Sequence, residues 1–398
     1  MHGGNEIAGA LRRVNAPLRD RPKRRAASRR RTVMAGVAVG AMLAMVTACG
    51  ASPVAGGGGK GSGAATYKKL NALPAAQQES TALQMAKDEG KTVSFYTSYA
   101  SDAAAAVKKG FEAKYGITVN LYRAQSGDVL QRVLQESGAR HLGADVVEAS
   151  APEMNDMSDQ SLFAPYRGAN RQLVGADGQF DTWTADYFNL MLPAWNTKLI
   201  GPGQEPKSWE DLADPRFKNK LLIDPTDSDW YAALTLYWQQ HGKTADQIDA
   251  LWKGIVKNSR VSKGHSTNAE LLSAGQTPAT AVMYNYITAL AMQKGAPVTY
   301  KNADGVADIP AFSRPNGVAL LKDAKHSAAA WLLTNWLLSV DGGQKILAAN
   351  FQVPSTTKPG TGLFKDFTIA KYPTEEMHKN QKLWDSRYDA LLRGVPAR

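Results

Sequence analysis

The residues of this 398-residue chain that could do chemistry lie in short polar runs beside helix starts. Asp224-Pro225-Thr226-Asp227-Ser228-Asp229 sets turn formers and capping residues directly before a periodic apolar segment, residues 230–238, that opens with Trp230. A loop there would feed a helix N-terminus rich in hydroxyls and free amides, which suits an anion. Asp227 and Asp229 are ordinary dipole stabilisers at such an end. Facing a cleft, they would instead favour an ammonium group or a metal over a bare anion. Tyr284 and Tyr286 lie two apart after an apolar run. Extended backbone would aim both rings the same way and continued helix would separate them, so two ligand contacts compete with one core ring and one surface ring. Enzyme signatures are missing: there is no H-E-x-x-H and no G-x-S-x-G, and the single cysteine, Cys49, is not available as a nucleophile. His2, His141, His241, His265, His326 and His378 show no ligand-like spacing. No catalytic residue, cofactor or metal is therefore expected.

The elements that must position these residues are punctuated clearly. Ser208 and Asp211 have capping-box spacing and predict a short helix that Asp214-Pro215 closes. The run 221–223 reads as a buried strand, so the loop after it lies at a carboxyl strand end, where ligands bind in open α/β sheets. Earlier, strands over 92–96, 117–122 and 144–147 alternate with helices over 102–114 and 128–136, which implies a parallel sheet covered on both faces. A later series gives helix 246–257, strand 279–283 and helix 285–294. Strand 316–321 returns the chain, before helix 327–338 and another helix after Asp341. A last helix, 375–392, carries Met377, Leu383, Trp384, Tyr388 and Leu391 near one stripe, read as core. The folded length of about 310 residues exceeds one core, so two lobes are expected.

The run Pro206 to Lys220, followed by a strand and Asp224-Pro225-Thr226-Asp227-Ser228, resembles the bacterial extracellular solute-binding proteins of ABC importers, in the ferric-iron, thiamine, spermidine and phosphonate group. Val93-Ser94-Phe95-Tyr96, Gly143-Ala144-Asp145-Val146-Val147, Trp195-Asn196-Thr197-Lys198-Leu199 and Asn316-Gly317-Val318-Ala319-Leu320 match in the same order. The resemblance implies an α/β, type II-like periplasmic-binding-protein fold of two lobes, each a mostly parallel sheet flanked by helices, with a ligand cleft between. Lobe 1 would comprise 67–189 and 316–365, and lobe 2 190–315 and 366–398, with crossings at 190–198 and 312–318. In that fold the strand-end loops meet in the cleft. They offer Ser98, Tyr99, Ser126, Gly127 and Ser150 from one side, and Thr226, Asp227, Ser228, Trp230, Tyr284, Asn285 and Tyr286 from the other. Each serine could equally cap the helix behind it.

Ferric-binding members of the group use two adjacent tyrosines, often with a histidine and a glutamate. Here Ile287 follows Tyr286, no histidine lies near Ser98, Ser150 stands where a carboxylate is wanted, and Glu148 lies on the strand. The expected ligand is thus a small polar organic solute, amine- or phosphonate-containing, packed by Tyr99, Trp230 and Tyr286. Ferric iron is the alternative, and an exported hydrolase or transferase is the rival of another class.

Residues 1–48 read as an export signal: an arginine-rich start, an apolar stretch over 33–47 too short for a finished membrane span, and small residues before Cys49. Cys49 would be acylated and anchor a monomer to the outer face of the cytoplasmic membrane, partnering an ABC permease and its ATPase. An ordinary buried cysteine is the competing reading. Arg29-Arg30-Arg31 fits a twin-arginine signal poorly, which favours general secretion. Residues 49–66, rich in Gly and Ser, read as a flexible tether. The signal holds ten of the chain's 47 Lys/Arg and two of its 36 Asp/Glu, so the formal charge falls from +11 to +3 without it. That removes the main argument for a nucleic-acid partner.

Overall fold

The computed structural model describes residues 62–358 and 362–395. Cys49 and the expected export signal lie outside them. Among the described residues one twelve-stranded sheet runs through both lobes. Thr118–Arg123, Thr92–Thr97 and Val146–Ser150 pair in parallel in the first lobe. Ala279–Tyr284, Leu221–Ile223 and Ser259–Val261 do so in the second. Two long strands join them: Ala307–Leu321 pairs antiparallel with Val146–Ser150 and with Thr184–Asn196, which pairs antiparallel with Ala279–Tyr284. The paired stretch from Phe312↔Met191 to Val318↔Thr184 carries a bulge at Asn316 and Gly317. A Cβ on Gly317 would run into the Trp183 ring and lie 3.0 Å from the Thr184 carbonyl oxygen, so only glycine fits this crossing.

Strand alternation gives the first lobe a core on each sheet face. Phe95 packs with Trp331 of the helix Ser327–Leu337, while its neighbour Tyr96 packs with Val129 and Val147. The second-lobe core is built on Trp209, Trp230, Trp238 and Trp252, all fully buried. Local signals set the helix ends. Gly116 closes Ser101–Tyr115 in the left-handed conformation, and Thr244 with Gln247 forms a complete capping box before Ala245–Asn258.

Four expectations shift. The Ser208 run makes only a 3₁₀ turn, Glu210–Ala213, because Pro215 forces Asp214 into extended backbone at once. The third strand runs on to Ser150, so this serine ends the strand and takes the N-cap position of the helix Ala151–Asp159, with its hydroxyl given to Glu153 and not to the helix backbone. The last helix is two, Thr374–Lys379 and Gln381–Arg393, because Asn380 leaves helical geometry and donates its side-chain amide to Glu376; Met377, Trp384 and Tyr388 are core but Leu383 is exposed. Finally, the helix Ser62–Asn71 begins inside the stretch read as tether, held by the Tyr67 hydroxyl donating to the Leu321 carbonyl.

Candidate functional site

Helix starts and hinge strands leave a cleft of about 400 Å³ between the lobes. Ser150, Glu153 and Asp156 line its first-lobe side, and Thr226, Ser228 and Asp229 its second. The C-terminal helix adds Gln381, Asp385, Tyr388 and Asp389, and the hinge strand Ala307–Leu321 contributes Arg314. Acidic side chains therefore outnumber basic ones around the opening.

Arg314 is 6% exposed. Its Nη1 donates to Asp229 Oδ2 at 2.9 Å, and the guanidinium carbon lies 4.7 Å from the centre of the Tyr284 ring, a cation–π contact. Its Nε is buried and finds no acceptor among the described residues. Asp229 is by contrast satisfied, accepting also from the Trp230 N–H at 2.8 Å and the Tyr372 hydroxyl at 3.1 Å. Burial pushes Glu153, Asp156 and Asp385 above the usual carboxylate range; Asp159 adds repulsion at Asp156, while hydrogen bonds from Ser150 to Glu153 and from Ser228 to Asp385 pull the other way. Desolvated carboxylates around an opening favour a cation within it.

Behind the second-lobe loop, Asp224 accepts from the Thr226 N–H at 2.9 Å and hydroxyl at 2.7 Å and from the Gly264 N–H at 2.5 Å. Asp227 pairs with His265 Nε2 at 2.9 Å. Burial pushes Asp227 up to about 6; at His265 burial opposes the charge, but Asp227 outweighs it and holds the imidazole above its ordinary value. The His265 ring lies 4.1 Å from Tyr284, which stacks at 18° and 6.1 Å on Tyr286. In the first lobe, buried Glu148 accepts from the Thr97 hydroxyl at 2.6 Å and the Ser98 N–H at 2.8 Å. Asp186 beside it accepts from the Tyr99 hydroxyl and keeps Oδ1 unpartnered among the described residues. Burial raises both carboxyls, and Glu148 raises Asp186 further.

Of the residues expected from sequence, Ser150, Thr226 and Ser228 line the cleft. Ser126 lies next to it, accepting from the Ser150 N–H at 3.2 Å, and Gly127 is exposed beside Ser126. Half-buried Ser98 is engaged by Glu148. Tyr284 and Tyr286 stand by Arg314 with parallel rings. Asn285 is a tie, accepting from the Leu190 N–H and donating to the Phe351 carbonyl. Three expectations are corrected. Trp230 is wedged between Trp209 and Trp252 in the core, because two residues of helix turn it about 200° from Ser228. Tyr99 packs against Phe95 and Tyr187 and gives its hydroxyl to Asp186, so neither ring faces a solute. Asp227 is turned to His265 and does not line the cleft.

Arg314, Glu153, Asp156, Asp385 and Asp389 went unread. Ser150 and Glu153 have the S-x-x-E spacing that would have flagged the latter. Asp385 and Asp389 share a helix face by their spacing of four. Among the described residues no group of three or more His, Cys, Asp or Glu is arranged to hold a metal.

The chain is similar at 26% identity to an Fe(3+)-binding periplasmic protein of Serratia marcescens, covering 61% of this chain and 71% of that one. A candidate 2-aminoethylphosphonate-binding periplasmic protein of Salmonella paratyphi A is 21% identical, with 69% and 80% covered. Among solved structures, the periplasmic binding protein AfuA of Actinobacillus pleuropneumoniae, with fructose-6-phosphate bound, superposes with a TM-score of 0.65 at 21% identity over 76% of this chain and 99% of that one. The family model described as bacterial extracellular solute-binding protein matches residues 144–363. With more than half its length so matched and two lobes joined by paired hinge strands around a cleft, this chain belongs to the bacterial extracellular solute-binding protein family.

Proposed function

We propose that the protein is the substrate-binding lipoprotein of an ABC importer. It captures a small polar organic solute carrying an amine in the interlobe cleft and delivers it to a permease and its ATPase. The observation that carries the amine is the surplus of carboxylates around the opening: Arg314 matches Asp229 and Arg393 matches Asp389, while Glu153, Asp156 and Asp385 have no ion-pair partner among the described residues. The hydroxyls of Ser150, Thr226 and Ser228 orient the solute, and Ser98, Ser126, Gly127, Tyr284, Asn285 and Tyr286 form the surround. The family consists of binding proteins, which speaks against hydrolysis or group transfer as the working activity. Acylated Cys49 would hold a monomer at the outer face of the membrane; among the described residues no helix is long and apolar enough to cross it. Cys49→Ala then releases the protein without changing solute affinity.

Thermal shift across a panel of amines, aminophosphonates, sugar phosphates and ferric citrate tests the reading, since a ligand bound only by the native state raises the melting temperature. An amine-bearing compound should stabilise most and be recovered intact. Turnover of that compound would make the protein an enzyme. A visible tyrosinate-to-iron band with ferric citrate, lost in Tyr286→Phe, would make it an iron carrier, as the Serratia relative's name suggests for that protein.

A further inference from the structure

We infer that the solute is a zwitterion whose acidic end is read by Arg314 and whose amine is held by the acidic wall of the C-terminal helix, so that the cleft selects molecules with both charges. This rests on the amine-binding reading above and adds the opposite pole. A guanidinium offers five N–H donors, and at Arg314 Nη1 is engaged by Asp229 while buried Nε has no acceptor. Asp229 cannot turn to supply one, because the Trp230 N–H and the Tyr372 hydroxyl fix it. Glu153 is occupied by Ser150. A buried donor without an acceptor is expensive, and Arg314 lines the cleft. A planar guanidinium fork against the Tyr284 ring matches a carboxylate, phosphonate or phosphate.

The other pole comes from a different part of the chain. Asp385 and Asp389 project from Gln381–Arg393, which lies beyond the segment matched by the family model, toward Asp156 of the first lobe across the same opening. A bare anion would meet these carboxylates, and a simple amine would leave Arg314 short of an acceptor. One molecule carrying both groups satisfies both ends.

Isothermal titration of the full protein with 2-aminoethylphosphonate and β-alanine, against ethylphosphonate, ethylamine and spermidine, tests this. A zwitterion should bind at least about tenfold more tightly than every single-charge probe. Arg314→Gln should weaken the zwitterion roughly 10–100-fold and so narrow its advantage over ethylamine; Asp385→Asn should weaken both. Should Arg314→Gln not fold, Arg314→Lys keeps the charge without the fork and should still weaken the zwitterion about tenfold. Ethylamine or spermidine binding as tightly as the zwitterions, or Arg314→Lys binding them like wild type, overturns the two-pole cleft and leaves the amine reading standing. Binding of fructose 6-phosphate or ferric citrate with no amine bound overturns both.

Discussion

Two buried carboxylate pairs, one in each lobe, are stabilised in opposite ways. Glu148 and Asp186 are fully buried and receive hydrogen bonds from neutral donors: Thr97, Ser98, Asn316 and Tyr99. Asp227 and Asp229 are nearly as buried but are matched by basic groups, the His265 imidazole, which Asp227 holds above its ordinary value, and the Arg314 guanidinium. The first arrangement ties the loop after the first strand to the hinge strands and asks nothing of the cleft. The second ties loop geometry to charge, and through Arg314 it opens onto the cleft. Burial without a cation raises both carboxyls of the first pair, whereas each carboxylate of the second leans on a basic group whose loss leaves it buried without a partner.

The largest expected effect follows from that difference. Arg314→Met strands Asp229 and should reduce unfolding free energy by about 3–5 kcal/mol, read by urea titration. A loss below about 1 kcal/mol would show that Asp229 does not depend on its cation.

Next, His265→Gln leaves Asp227 without its partner and should cost about 3 kcal/mol near neutral pH. The cost is pH-dependent. Asp227 titrates at about 6 with His265 in place, and without the imidazole its carboxyl stays protonated to higher pH. The penalty is therefore full above that range and shrinks as pH falls and Asp227 is neutralised in both proteins. A penalty that grows in acid would contradict the pairing.

Glu148→Gln is the contrasting case, with a change of about 1 kcal/mol or less, since an amide oxygen can still accept from Thr97 and Ser98. Its signature is in the slope. A carboxyl whose folded pKa is raised binds extra protons in the native state, so the wild type loses stability as pH rises from its ordinary value of 4.5 through the raised one. The variant should flatten that fall. A slope identical to wild type would place the buried proton elsewhere.

The smallest stability effect belongs to Asp385→Asn, at the rim of the cleft, where the amide oxygen can still accept from Ser228. It should stay within about 0.5 kcal/mol of wild type while weakening solute binding, which separates the cleft wall from the cores.

These contrasts also explain what could be read in the chain. The alternation of apolar strands and capped helices is local, so the order of elements followed from spacing of two and of 3.6, whereas the helices expected from Asp102 and Asp128 start at Ser101 and Ser126, and the crossings between lobes rested on the family resemblance. The cleft and the loops behind it depend on pairs far apart in sequence: Arg314 with Asp229 at the cleft, and His265 with Asp227 and Glu148 with Asn316 behind it. No local pattern marks an arginine in the middle of a hinge strand. His265 looked isolated because its partner is 38 positions away. Aromatic residues misled for a related reason, since Trp230 and Tyr99 stand at loop ends like ligand contacts, yet the helix turns Trp230 and the bend after the first strand turns Tyr99 into the cores. On the last helix Trp384 and Tyr388 of the stripe read as core are buried, while Leu383 is exposed, and Asp385 and Asp389 line the cleft beside Tyr388.

Hydrogen exchange by mass spectrometry, with and without saturating 2-aminoethylphosphonate, tests most directly the claim that one solute is held between the lobes. Protection should appear together on the first-lobe segment 150–156, the second-lobe loop 225–229, the C-terminal helix 381–389 and the hinge around Arg314. Protection confined to one lobe, or absent from the hinge and the C-terminal helix, would contradict the account.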